Sequence, residues 1–144
     1  MAKKFLTQEE EDKILKAIEN AEKETSGEIR VHIESKCKLD AVDRAVEIFY
    51  ALKMEQTSEK NGVLIYVAYK DRKLAILGDS GINAVVPDGF WDNARDLLVS
   101  HFKENKIADG LVGAIELSGK QLKAYFPFQS NDRNELSNDI SFGH

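Results

Sequence analysis

Residues 61–81 constrain the fold most, because they contain two continuous apolar runs separated by a short polar segment. The runs are residues 63–68 and 74–77, and the charged residues 70–73 between them leave room only for a tight turn. Strands that are apolar throughout are typical of a sheet covered on both faces. The segment therefore predicts a β-hairpin inside a sheet that lies between two layers of helices.

The residues before the hairpin predict a helix, a strand and a second helix. Thr7 and Glu10 form a capping-box pattern at the start of a helix over residues 8–23. Residues 28–34 alternate in polarity, which predicts a strand with one less buried face, nearer the sheet edge than the hairpin. Asp40 is a suitable N-cap for the second helix. Its predicted buried stripe consists of Ala41, Val42, Ala45, Val46, Phe49 and Leu52.

A strand, a crossover helix and a further strand form a parallel, right-handed unit, and the hairpin then adds an antiparallel strand. Two more helices follow, one starting at residues 87–89 and one over residues 107–125 that stops before Pro127. The predicted fold is α/β, a three-layer α/β/α sandwich with a central mixed sheet. Residues 1–127 form a single domain, and residues 128–144 are expected to be a flexible polar tail.

Composition excludes several classes of function. The 144 residues carry a net charge of -5, which argues against nucleic acid as a partner. One cysteine permits no intrachain disulfide and no zinc site built on several thiolates. No apolar stretch reaches the length of a membrane span or of a signal-peptide core. We expect a cytoplasmic monomer with no integral membrane segment.

The candidate site is the glycine-flanked turn after the hairpin, Gly78-Asp79-Ser80-Gly81. A hard divalent cation takes oxygen ligands from carboxylates and exposed carbonyls, and Asp79 stands where glycines expose the backbone. Asp88 follows closely, and Asp109 in the first turn of the last helix reaches the same region if that helix packs antiparallel to its predecessor. Each also has an ordinary role, Asp88 as an N-cap and Asp109 as a helix-dipole partner. A metal site requires Asp79 to converge with one of them.

The order and spacing of several short motifs resemble the TPM domain, over roughly residues 7–125. This domain is known from a thylakoid-lumen acid phosphatase, from photosystem II repair proteins and from many bacterial proteins. The motifs are Ser26-Gly27-Glu28-Ile29, Asn61-Gly62-Val63-Leu64, Asp71-Arg72-Lys73, Gly78-Asp79-Ser80-Gly81-Ile82 and the segment 102–110 before the last helix.

The resemblance implies an α/β/α sandwich in a small stand-alone bacterial member of the family. It also implies divalent-cation binding, Ca²⁺ or Mg²⁺, and a phosphatase activity. The family's acidic positions correspond to Asp79, Asp88 and Asp109 as metal ligands, while no catalytic residue is assigned. Two functions follow as hypotheses: a metal-binding domain with metal-dependent phosphatase activity, or a non-catalytic module that binds a partner protein and in which the metal only stiffens a loop.

Overall fold

The computed structural model describes residues 6–128 and 140–143. Five helices and four strands follow one another in these residues, with a short 3₁₀ turn, Met54–Gln56, after the second helix. The elements are α1 (Gln8–Glu22), β1 (Glu28–Glu34), α2 (Ala41–Ala51), β2 (Gly62–Ala68), β3 (Lys73–Gly78), α3 (Ser80–Asn83), α4 (Phe90–Lys103), α5 (Ile107–Tyr125) and β4 (Ser141–Phe142).

The four strands form one mixed sheet in the order β3-β2-β1-β4. Strands β1 and β2 are parallel, with Glu28 opposite Gly62, and β2 and β3 are antiparallel, with Val63 opposite Gly78. The parallel unit and the antiparallel hairpin are both confirmed.

Helices cover both faces of the sheet, so the three-layer prediction is confirmed. On one face, alternate residues of β1 and β2 pack with α1, α4 and α5, and Ile29, Ile65 and Leu111 belong to this core. On the other face, Leu64 and Tyr66 pack against α2. Since both faces of β2 are apolar and covered, this strand is buried over its whole length.

Side-chain caps define the helix starts that the sequence predicted. The Thr7 hydroxyl accepts from the Glu10 amide at 3.1 Å, and the Glu10 carboxylate accepts from the Thr7 amide at 2.9 Å. At α2 the Asp40 carboxylate accepts from the Val42 amide at 3.0 Å. These bonds satisfy amides that have no partner within the helix. In the part of the chain described, no helix is both long enough and apolar enough to cross a bilayer.

Three predictions of burial were wrong. The second face of β1 is covered, with His32 only 7% exposed, and its polar side chains contact Ser141 of β4 and Arg44 of α2. Strand β3, rather than β1, is the half-exposed edge of the described sheet. Helix α2 buries Ala45, Ile48 and Phe49 and leaves Val42 and Val46 exposed, since the predicted stripe was wider than the face that a helix can bury against a sheet.

The predicted tail was also wrong for residues 140–143. Ser141 and Phe142 pair with His32 and Ile33 of β1, and the Gly143 amide donates to the Ile33 carbonyl at 2.8 Å. So few apolar residues anchor this short strand that its sequence looks like that of a polar tail. Of the other tail residues, 129–139 and 144 lie outside the described part of the chain.

Candidate functional site

One end of the sheet carries a row of polar side chains, which we call the acidic rim and define as Glu28, Asn61 and Asp79. Strands β1 and β2 begin there and β3 ends there. Glu28 lies opposite Gly62, whose carbonyl accepts from the Asp79 amide at 2.9 Å. Glu28, Gly62 and Asp79 thus lie in one row across three strands, and the strand spacing places the outer two backbones about 10 Å apart. The middle residue of the row, Gly62, has no side chain, and Met54 contacts it on the side where a Cβ would project.

Two oxygens of the rim are buried without a hydrogen-bond donor among the described residues. Asn61 is 1% exposed and its Oδ1 has no such donor. Asp79 uses Oδ1 to cap α3, accepting from the Ser80 amide at 2.7 Å, but its Oδ2 has no donor. A buried oxygen without a donor costs about 1–3 kcal/mol. These oxygens are therefore suited to a ligand that supplies positive charge.

The loop before β2 orients the Asn61 amide. The Asn61 Nδ2 donates to the Ser26 hydroxyl at 3.3 Å, and that hydroxyl donates to the Glu59 carboxylate at 3.1 Å. The Lys60 carbonyl accepts from the Gly81 amide at 2.7 Å. A Cβ at Gly81 would collide with the backbone oxygens of residues 59 and 60, so only glycine permits this close contact. With Nδ2 engaged in this way, the Asn61 Oδ1 is the atom left for a ligand.

The structure does not bring Asp79, Asp88 and Asp109 together. Asp88 lies at the rim's end of the molecule, exposed, in the turn before α4. Asp109 lies at the opposite end, because Leu122 near the other terminus of α5 contacts Gly27, and thirteen helical residues span about 20 Å.

Asp109 has a different contact, an ion pair on the surface with Lys13 of α1. Within residues 6–128 and 140–143, no three His, Cys, Asp or Glu side chains are grouped as a metal site. A cation at the rim would therefore take much of its coordination from the Asn61 amide, backbone carbonyls and water.

A second carboxyl, Glu22 of α1, lies beside Glu28. The Glu22 Oε2 accepts from the Ile29 amide at 2.8 Å, at the edge of β1 that faces away from β2. Burial, together with the negative charge of Glu28, raises the pKa of Glu22 to about 9, although the Ile29 bond opposes the shift. Glu22 is therefore protonated at neutral pH.

A separate buried polar group surrounds Glu34, at the far end of β1. Arg44 of α2 donates to both Glu34 oxygens at 2.9 Å, and the Tyr66 hydroxyl donates to Oε2. His32 lies 3.4 Å from Glu34 and 2.8 Å from the Ser141 hydroxyl of β4. Burial alone would raise the pKa of Glu34, but the Arg44 and Tyr66 bonds outweigh it and hold the pKa at about 2. This group joins α2 and β4 to the sheet.

Sequence reasoning missed Glu28, Asn61 and Glu34 as buried polar residues with defined contacts. The signal was present in the alternation of β1, which places Glu28, His32 and Glu34 on one face. The crossover helix must cover that face of a parallel pair. Polar residues there had to be buried and therefore needed partners.

Comparison with known proteins identifies the family. A profile of the TPM domain matches residues 2–121. The NMR structure of BA42 protein from the psychrophilic bacterium Bizionia argentinensis is 51% identical, covers 96% of both chains and superposes with a TM-score of 0.89.

Two more distant structures share the fold. An N-terminal domain from Corynebacterium glutamicum is 15% identical, covers 90% of this chain and 81% of its own, and has a TM-score of 0.66. An N-terminal domain from P. gingivalis is 19% identical, covers 84% and 78%, and has a TM-score of 0.64. No curated protein matched the chain. Since the family profile spans most of its length, the chain belongs to the TPM domain family.

Proposed function

We propose that this TPM domain binds a divalent cation, Ca²⁺ or Mg²⁺, at the acidic rim. The observation that carries the proposal is the pair of buried oxygens, Asn61 Oδ1 and Asp79 Oδ2, that lack a donor in the described chain. Glu28, 2% exposed in the same row, adds a carboxylate. Calcium accepts carboxylate, amide and carbonyl oxygens together with water, which is the donor set that the rim offers, whereas magnesium would retain more water.

Calcium titration should shift the amide NMR signals of residues 27–28, 61–62 and 79–81 and raise the melting temperature. Asp79→Asn should weaken calcium binding at least tenfold, because the ion loses one of its two charged ligands. Asparagine remains a good N-cap, so α3 and the fold are retained. Asp109→Asn is the matched control and should bind calcium as the unaltered protein does, since its carboxylate lies at the other end of α5. The calcium affinity of Asp88→Asn measures whether the exposed Asp88 carboxylate contributes to binding.

Equal calcium affinities of Asp79→Asn and Asp109→Asn would overturn the site. So would amide shifts confined to the first turn of α5. A melting temperature that neither calcium nor a chelator changes would exclude a bound cation that stabilises the fold.

If the bound cation also supports catalysis, the activity would be that of a metal-dependent phosphatase, in which the cation neutralises a phosphoryl oxygen. Such a reaction also needs cationic side chains near the metal to hold the phosphate. Arg95 lines a pocket with Ile107, and Lys106 directly precedes Ile107, whereas Asp79 lies at the other end of the sheet. That separation favours a non-catalytic role. A phosphomonoester assay with and without metal distinguishes the two roles. Metal-dependent turnover by the unaltered protein above that of Asp79→Asn would support an enzyme, and no such turnover would support a non-catalytic binding module.

A protein-interaction role is supported by the outer surface of α2. Leu39, Val42, Val46 and Tyr50 lie at helical spacing and are 37–60% exposed. Contiguous apolar surface of this kind marks interaction sites. We expect the isolated protein to sediment as a monomer, with the stripe left for a different protein. Concentration-dependent dimers that Val42→Asp abolishes would instead assign the stripe to a second copy of the chain.

A further inference from the structure

The end of the sheet opposite the acidic rim holds a cavity of about 840 Å³, which we call the basic pocket. It opens where β2 ends and β3 begins, and α4 from Arg95 onward and the start of α5 form its other wall. Its apolar lining includes Val67, Leu74, Val99 and Phe102. The volume lies in the range of small-molecule sites, about 300–1,000 Å³.

Four cationic side chains line this pocket: Arg72 and Lys73 at the hairpin, and Arg95 and Lys103 on α4. Arg95, Val99 and Lys103 are spaced four residues apart, so they share one face of the helix. Among the residues described, no carboxylate forms an ion pair with Arg72, Arg95 or Lys103. Their charges are thus available to a ligand.

The cationic side chains around the pocket outnumber the carboxylates in its lining, four to one. The carboxylate in its wall, Asp40, is engaged as the cap of α2. Lys73 donates to the carbonyls of Cys37 and Leu39 at 2.9 and 3.0 Å, which fixes the wall. Ile107, the first residue of α5, also lines the pocket, and no side chain caps the N-terminus of this helix. The N-terminus of a helix carries a partial positive charge, which adds to that of the side chains.

The position in the fold agrees with this chemistry. The pocket lies at the carboxyl end of the parallel pair β1 and β2, which is where open α/β sheets bind their ligands. Its charge is opposite in sign to that of the acidic rim at the amino end. One domain thus presents an anionic end and a cationic end separated by the length of the sheet.

We propose that the basic pocket binds a small organic anion, with a phosphate-like or carboxylate head and an apolar body about the size of one ring. Arg95 and Lys103 hold the head, and Val99, Phe102 and Leu74 contact the body. This site is independent of cation binding at the rim.

Phenylphosphonate is a suitable probe, because its ring and dianionic head match the two halves of the pocket and its P–C bond is not a phosphatase substrate. Titration in the presence of a chelator should shift the amide signals of Leu74, Val99 and Phe102, and binding should weaken as salt is raised. Arg95→Gln combined with Lys103→Gln should weaken binding at least tenfold. Lys16→Gln combined with Lys120→Gln removes the same charge from exposed positions of α1 and α5 and should leave affinity unchanged.

Each remaining outcome counts against the pocket. Equal binding by methylphosphonate would mean that the apolar wall contributes nothing and that the site holds an adventitious ion only. Equal loss in both double variants would assign the effect to overall charge. An absence of shifts at millimolar probe would exclude the site, and because a chelator is present, none of these results bears on the rim.

Discussion

Replacing Glu34 by glutamine is expected to lower the free energy of unfolding at pH 7 by about 3 kcal/mol, because it breaks a buried ion pair from one side. Arg44 would lose its charged acceptor, and because glutamine keeps only one oxygen, its amide nitrogen would replace the acceptor of either Tyr66 or His32. Urea unfolding followed by circular dichroism measures the change. Glu47→Gln is the control: Glu47 pairs with the same guanidinium at 3.0 Å but is exposed, so its loss should cost less than about 1 kcal/mol.

The same carboxyl makes stability depend on pH with a defined sign. The pKa of Glu34 falls from 4.5 in the unfolded chain to about 2 in the fold. The ionised Glu34 therefore contributes to the free energy of unfolding above pH 4.5, and this contribution is lost as pH falls towards 2. The shift in pKa corresponds to about 3 kcal/mol. The stability difference between the unaltered protein and Glu34→Gln should shrink over this interval. A difference that stays constant from pH 6 to pH 3 would show that the Glu34 charge is not stabilised by the fold.

The elements of the fold were predictable because each rests on a local pattern. The residues of β1 alternate, β2 is continuously apolar, and Thr7 and Asp40 are side-chain caps that act on amides within three residues. The parallel pairing followed from these elements together with the handedness of a crossover.

The grouping of the site residues was not predictable in the same way, because it depends on how helices run past one another. Helix α4 begins near Asp79, where Trp91 donates to Asn83 at 2.7 Å. A following antiparallel helix begins where α4 ends, about 20 Å away for 14 residues. Antiparallel packing of α4 and α5, which the sequence predicted, therefore places Asp109 far from Asp79, because the two residues are separated by the length of α4.

The contacts between the Glu34 group and β4 were also not predictable from the sequence. Ser141 contacts His32 across 109 residues of chain, so no local window contains both. A two-residue strand leaves too little periodicity to detect. What identifies it is the polar face of β1, whose buried groups require partners that only distant segments supply.

Replacing Glu22 by glutamine should have the opposite effect to Glu34→Gln and stabilise the protein at pH 8, by more than about 1 kcal/mol. The pKa of Glu22 rises from 4.5 to about 9 on folding, chiefly through burial and then through the charge of Glu28. The folded chain therefore holds a proton that the unfolded chain releases. Stability from this group is complete below pH 4.5 and falls as pH rises towards 9. Glutamine carries no titrating proton and can still accept from the Ile29 amide.

The comparison is best made as unfolding curves of the two proteins between pH 4 and pH 9. The advantage of Glu22→Gln should be small at pH 4 and grow steadily with pH, because only the unaltered protein must keep a carboxyl neutral in the fold. Glu19→Gln, at an exposed position of the same helix, should show no such trend. If Glu22→Gln were instead less stable at every pH, Glu22 would be ionised and paired in the folded protein. The strand edge at Ile29 would then be held by a charge rather than by a neutral acceptor.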